Sequence, residues 1–443
     1  MMPETIACLD NCVHCHARQS IVGSTVPCLL PQGRPPNTWF SMKPINYYFL
    51  GSGSWFLAYG IQSVIFAWLV TMVLHETADM VGIAQMAFML PAMLFMLLGG
   101  SLADHFGGKR IAIIGHLLAS VAPLYLSVMV LMDGMTYANV IQFAVIMGCA
   151  QALVTPARDG LLALVADGKI QRLVVQASMI QFGIQMLGFG IAAQADELGA
   201  VTMLLLQFLV LQLGVVAFIK LKVPHTPAPR VDENLLLQMA RSIREGFRTV
   251  RGSPYMRAVV LQNFAMGIFF MGSYVVTIPL LIRELYQGSS VELAWVNGAN
   301  SLGLVLTIFY LLRLGDVHRQ GRALLLAQGI GSIALATGGL GLGFYTLIGS
   351  VFLWGMCGGM AMTMARTVMQ EMAPVAQRAR IMAFFSFSFM GAGPIGALVS
   401  GYLVTWFGPS IALMISSISM LMVVLSVALI SKLWGLDSRN LRQ

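Results

Sequence analysis

Twelve stretches of this chain are apolar over about the 20 residues that a bilayer-crossing helix needs, and they limit its fold more than any other feature. They cover 46–74, 81–103, 111–132, 137–157, 173–195, 199–219, 257–282, 293–314, 323–342, 345–365, 381–405 and 409–431. Asp, Glu, Lys and Arg are absent from their interiors; Arg257 and Arg313 sit at span ends. In hydrocarbon every backbone N–H and C=O must find a partner within the chain, and a helix satisfies them locally. With 58% hydrophobic and only 10% charged residues, the chain cannot cover a soluble surface, which is about one-quarter charged on average. The expected fold is all-α and integral to the membrane, with twelve transmembrane helices.

Charge placement orients these spans. Of the 26 Lys and Arg residues, only Arg283 falls in a loop on the odd-numbered side; the others gather in the tails and even-numbered loops. The odd-numbered loops carry Glu76, Asp79, Asp133, Asp196, Glu197, Glu284 and Glu292 instead. Basic residues mark the cytoplasmic side, so both termini are expected there. The net charge of +8 therefore reflects topology and gives no nucleic-acid footprint. A multi-pass protein of a bacterial inner membrane, acting as a monomer, is expected. No acid/base pair, nucleophile or metal ligand set lies at membrane depth, which argues against an enzyme.

Residues 1–43 are polar and hold five prolines; they read as a disordered tail with no cleavable signal. Within it "CVHCH" (Cys12 to His16) matches the C-x-x-C-H haem-attachment pattern. That chemistry requires the other side of the membrane, and Cys12, Cys15, His14 and His16 are too cramped for a tetrahedral zinc site. No cofactor and no metal is expected, and Met42 reads as a natural start. Cys149 and Cys357 fall in apolar runs, so the six cysteines form no disulfide framework. Between the sixth and seventh spans, "VPHTPAPR" reads as an extended linker. It precedes an amphipathic helix alternating Leu236, Met239, Ile243, Phe247 and Val250 with Arg241, Arg244, Arg248 and Arg251. Such a helix lies on a membrane surface, here as a tether between two bundles.

The halves look duplicated. Segments 156–188 and 364–396 align without a gap, matching Arg158 with Arg366, Arg172 with Arg380, Ser178 with Ser386, Gly183 with Gly391 and Gly188 with Gly396. Asp104 and Arg110 likewise match Asp316 and Arg322. The expected organisation is a six-helix bundle over 44–222, a linker over 223–254, a second bundle over 255–434 and a tail over 435–443. Gly183, Gly188, Gly391 and Gly396 read as helix-packing positions, because small residues let helices approach closely.

The stretch "LLGGSLADHFGGKR" (97–110) concentrates charge and glycine between two spans. Gly100 permits a close helix contact, Asp104 can cap the positive N-terminus of a neighbouring helix, and Lys109 and Arg110 can hold it. Gly100, Leu102, Ala103, Asp104, Gly107, Lys109 and Arg110 resemble the loop signature of the major facilitator superfamily, from which His105 and Gly108 depart. That resemblance implies a latch joining the two bundles on the cytoplasmic side, with Asp104 against the helix that begins after Arg380. A mirror latch would use Asp316 and Arg322 against the helix after Arg172, with Arg158 and Arg366 beside them. "TPARDGLLALV" and "SIREGFRTVRGSPYMRAVV" resemble the branch holding the enterobactin exporter and macrolide-efflux proteins. Drug/proton antiporters of the superfamily carry Arg four residues before a Gly in span 4 and Gly-Pro in span 5; this chain has Ala144 and Gly188-Phe189 there.

Polar residues within spans are candidates for a solute pathway. These are Trp55, Tyr59 and Gln62 in span 1, Gln142 and Gln151 in span 4, and Gln181 and Gln185 in span 5. Asn263 and Tyr274 follow in span 7, Asn297 and Asn300 in span 8, and Trp354 in span 10. By resemblance, spans 1, 4, 7 and 10 line the cavity, with spans 5, 8 and 11 beside them. A neutral, aromatic pathway suits a lipophilic or amphipathic solute better than an anion, which would call for Arg or Lys. The expected activity is alternating-access export of such a small molecule, with protons as a candidate coupling ion. Import of a neutral nutrient is the alternative. His116 is the one titratable group within a span and reads as packed.

Overall fold

The computed structural model describes residues 43–165, 170–223, 235–315, 317–374 and 378–436. The N-terminal cysteine/histidine motif, the start of the tether and Asp316 lie outside the described residues. Every regular element among the described residues is helical. Helix α1 begins with Pro44, whose missing N–H costs nothing at a helix start, and runs Pro44–Trp68 before a wide π-turn over Leu69–Val73. Next come α2 (Ala78–Phe106), α3 (Gly108–Leu131), α4 (Tyr137–Val165), α5 (Ile170–Ala192) and α6 (Ala195–Lys220). The amphipathic segment forms α7 (Leu235–Gly252).

Helix α8 covers Pro254–Tyr286 and contains two π-helical stretches, Met266–Met271 and Ser273–Thr277. Its start is fixed by Ser253, whose side chain accepts from Met256 N–H. Helices α9 (Ser290–Leu314), α10 (Gln320–Gly339), α11 (Phe344–Met372) and α12 (Arg378–Ile430) complete the chain. Ser289 and Glu292 form a capping box at the start of α9. Helix α12 is broken at Gly408 (φ 78°, ψ 163°), and α6 is broken in the same way at Gly199 (φ 78°, ψ 162°). Only glycine enters that backbone region without strain, and the two breaks occupy equivalent places in the two halves.

Nine helical stretches among the described residues are long and apolar enough to cross a membrane. Helices α5 and α10 are not among them, and 381–430 counts once despite its break. Gln320, Arg322, Gln328 and five glycines lower the hydropathy of α10, whereas in α5 the described side chains run unbroken only over 176–192. Exposed apolar residues recur at helical spacing, as Leu209, Leu213 and Val216 on α6 and Ile418, Met422 and Leu425 on α12. Apolar bands of this kind are not left in water; acyl chains cover them.

Packing repeats between halves. In the first, α1 packs on α5 and α6, α4 on α2 and α3, and α3 on α6. In the second, α8 packs on α12, α11 on α9 and α10, and α10 on α12. The halves meet along two seams, α2 with α12 and α5 with α9.

Candidate transport site

A cavity of about 440 Å³ lies between the halves, lined from both: α1, α2, α4 and α5 on one side, α8, α9, α11 and α12 on the other. That volume suits a small molecule. Seven of the polar residues singled out in the sequence meet there: Tyr59, Gln62, Gln151, Gln181, Gln185, Tyr274 and Asn297. Tyr274 donates to Asn297 Oδ1 at 2.6 Å, and Gln62 Oε1 accepts from Gln207 at 3.2 Å. Phe66, Phe88, Met89, Met271, Phe389 and Met390 supply apolar wall. Among the described residues, no Asp, Glu, Lys, Arg or His lines the cavity.

Five sequence candidates lie elsewhere. Gln142 is on the exposed face of α4, where it accepts from Tyr125 at 2.5 Å. Asn263 is buried and donates to Phe385 O and Ser388 Oγ at 2.9 and 2.8 Å, tying α8 to α12. The backbone of Asn300 is pressed against Gly355, where a Cβ would meet Asn300 O at 2.2 Å. Trp55 packs edge-on against His116, ring centroids 5.3 Å apart. Trp354 lies behind the wall, against Phe270 and Tyr274 at 5.5 and 5.7 Å. His116 is buried and its Nδ1 pairs with Ala112 O at 2.8 Å, away from the cavity. Sequence reasoning passed over Gln85 and Ser63, which also line the cavity. Gln85, Phe88, Met89 and Ala92 share one face of α2 at i, i+3, i+4 and i+7, a spacing that marks them as neighbours.

The ends of the halves are held differently. At the acidic-loop end, Asp196 at the start of α6 accepts from Ser290 N–H at 2.7 Å and Ser290 Oγ at 2.6 Å. The same carboxylate accepts from Trp68 Nε1 at 2.8 Å. Arg283 on α8 reaches the other way, donating to Thr71 O at 3.2 Å and Glu76 O at 2.8 Å at the end of α1. Beside them α2 and α12 touch at Gly82 and Gly401, where a Cβ on Gly82 would meet Gly401 Cα at 3.1 Å. This end is closed.

At the basic end, Asp104 is exposed and forms no hydrogen bond or ion pair with the described residues. Lys109 donates instead to Ile219 O at 2.9 Å, near the carbonyl-rich end of α6. Arg158 is buried against the Phe56 ring at 4.3 Å and pairs with neighbouring Asp159 at 3.2 Å. Arg322 donates to Trp434 O at 3.1 Å. Arg110 and Arg366 are exposed; the side chains of Arg172 and Arg380, like Asp316, lie outside the description. The charges of the sequence motif are thus apart from one another here.

The packing glycines divide. A Cβ at Gly188 would meet Leu57 O at 2.6 Å, and one at Gly396 would meet Ile268 O at 2.4 Å. At Gly391 the nearest atom is Met93 Sδ at 3.5 Å, and at Gly183 nothing lies within 4 Å. Gly100 has only ordinary contact with Pro156 at 3.7 Å, and Gly107, at φ +90°, has open space.

Comparison with solved structures finds the same architecture at low identity. The nucleoside transporter NupG aligns with TM-score 0.66 and 13% identity over 88% of this chain and 99% of its own. A POT family transporter in complex with 5-aminolevulinic acid aligns with TM-score 0.69 and 14% identity, over 88% and 96%. The human organic anion transporter MFSD10 (TETRAN) aligns with TM-score 0.63 and 15% identity, over 88% and 99%. No curated protein matches in sequence. The profile of the family described as "Transmembrane secretion effector" matches residues 50–443. A multi-pass helical chain with a cavity between two similar halves, matched over nearly its whole length by that profile, belongs to the transmembrane secretion effectors of the major facilitator superfamily.

Proposed function

We propose that this transporter exports a small, uncharged, lipophilic or amphipathic solute across a bacterial inner membrane by alternating access. The observation that carries the reading is the cavity wall, where amides and aromatic rings stand without a fixed charge. A buried site without a compensating charge penalises an ion heavily, so the solute that fits is neutral. Twelve spans in two six-helix bundles, with both termini cytoplasmic, complete the proposal. On that orientation the closed Asp196 end faces outward, and the free Asp104 belongs to an inward-facing state. Asp104, Lys109 and Arg110 would engage when the cavity opens the other way. The motifs favour the enterobactin-exporter and macrolide-efflux branch.

Accumulation of neutral lipophilic dyes in efflux-deficient bacteria tests this. Cells expressing the chain should hold less dye than controls, and Asp104→Asn should restore accumulation. Unchanged accumulation across the panel, with the protein inserted, would sink the exporter reading. A second reading, import of a neutral hydrogen-bonding nutrient, is favoured by the amide cluster of Gln62, Gln85, Gln151, Gln181 and Gln185. Uptake into vesicles of both orientations separates the two.

A further inference from the structure

A second cavity, of about 690 Å³, opens on the side of the molecule where α7 and α8 meet the first limb of α12. Its wall is almost wholly apolar. Four rings, Phe247, Phe264, Phe384 and Phe387, line it, and Phe247 packs edge-on against Phe384 at 6.0 Å. The rim stays open: Phe247 is 52% exposed, Leu261 54% and Ile395 47%. Among the described residues two cations line the same groove, Arg251 on α7 and Arg257 on α8, and no acidic residue does. Both are exposed, and neither pairs with a described residue. Arg248 and Arg244, also exposed, sit one and two turns before Arg251 on α7 and extend the basic stripe.

We infer that this groove is a binding site for an anionic phospholipid, with the phosphate held by Arg251 and Arg257 and an acyl chain lying over the four phenylalanines. Charge complementarity selects the occupant. The groove sits at the basic end of the spans, where an amphipathic helix meets the headgroup layer, and clustered Arg beside a span attracts anionic lipid. A zwitterionic lipid offers the same phosphate, but its headgroup cation sets a like charge beside the two guanidinium groups and cancels the net attraction. A bare anion would leave the rings exposed. The inference does not rest on the identity or direction of the transported solute.

Native mass spectrometry of the full-length protein, incubated with phosphatidylglycerol and phosphatidylcholine of the same chain length, tests it. The wild type should retain one phosphatidylglycerol in preference to phosphatidylcholine. At about 1 kcal/mol per arginine, Arg251→Gln with Arg257→Gln should lower that occupancy about 30-fold. Leu261→Trp, which fills the groove and leaves both cations in place, should also abolish the adduct. Arg313→Gln with Arg319→Gln, exposed basic residues outside the groove, should leave it intact. Melting curves without lipid establish that all variants fold alike. Equal retention of the two lipids, or of phosphatidylglycerol by both arginine pairs, would overturn the site. Stabilisation by inorganic phosphate equal to that by phosphatidylglycerol would reduce it to an anion site and overturn the lipid assignment.

Discussion

Asp196 and Arg283 join the two halves through opposite ends of helices. The first N–H groups of α9 have no partner within the helix and carry its positive end; Ser290 N–H is one, and Asp196 satisfies it. The last carbonyls of α1 carry a negative end, and Arg283 binds Thr71 O there. A hydrogen bond to a charged group contributes about 1.5–3 kcal/mol when buried, and solvent lowers that for the exposed Asp196 carboxylate. Asp196→Ala should therefore destabilise the closed end by about 1–2 kcal/mol, a roughly five- to thirtyfold shift toward opening. Spin labels on Leu198→Cys and Val291→Cys, in a background without other cysteines, should report a longer distance component with Asp196→Ala. Arg283→Gln should act in the same direction. An unchanged distance distribution in both variants would remove the tie from the mechanism. In sequence, the span order placed both residues on the odd-numbered side, against the sign of Arg283, but their partners lie 94 and 212 positions away. Local spacing encodes no such pairing.

Helix contacts decide which sequence features keep their assigned roles. Gly188 and Gly183 share α5 and looked alike in the repeat, yet only Gly188 faces a neighbouring backbone, at α1. An added methyl there meets Leu57 O at 2.6 Å, and backbone cannot swing aside as a side chain can. Gly188→Ala should cost about 1–3 kcal/mol or more. Gly183→Ala, with open space, should be neutral or stabilising by up to about 1 kcal/mol, because alanine favours helix. Thermal unfolding in detergent separates them; equal losses in both would refute the close crossing. The same rotational logic sorts the cavity residues. Gln142 and Gln151 lie about two and a half turns apart on α4, so they face opposite ways, and only Gln151 reaches the cavity. That difference was legible in the sequence. Asn263 and Tyr274 were harder, because about three α-helical turns would put them on one face. Two π-helical stretches lie between or beside them, and each wider turn rotates the residues beyond it. Asn263 accordingly ties α8 to α12 while Tyr274 lines the cavity, and no composition signal marks such turns.

Taken whole, the molecule pairs its helices the same way in each half. The sequence left open which end would be closed. That is a property of one conformational state, and a chain that alternates must encode both. Two discrete arrangements biased by separate contacts are what an access switch requires. Here the Asp196–Ser290 tie holds one end while Asp104 has no described partner at the other. The cavity should then be reachable from the basic end alone. Gln181→Cys places a thiol in the wall, and a membrane-impermeant maleimide reads its exposure in cysteine-free vesicles of either orientation. Labelling should be fast with the basic end outermost and slow in the opposite orientation. Adding Asp196→Ala should raise the slow rate severalfold, because the variant spends more time open at that end. Equal labelling from both faces in the parent would mean a pore instead of a switch. A slow rate unmoved by Asp196→Ala would assign the closed end to the Gly82–Gly401 crossing and leave the polar tie without a part in it.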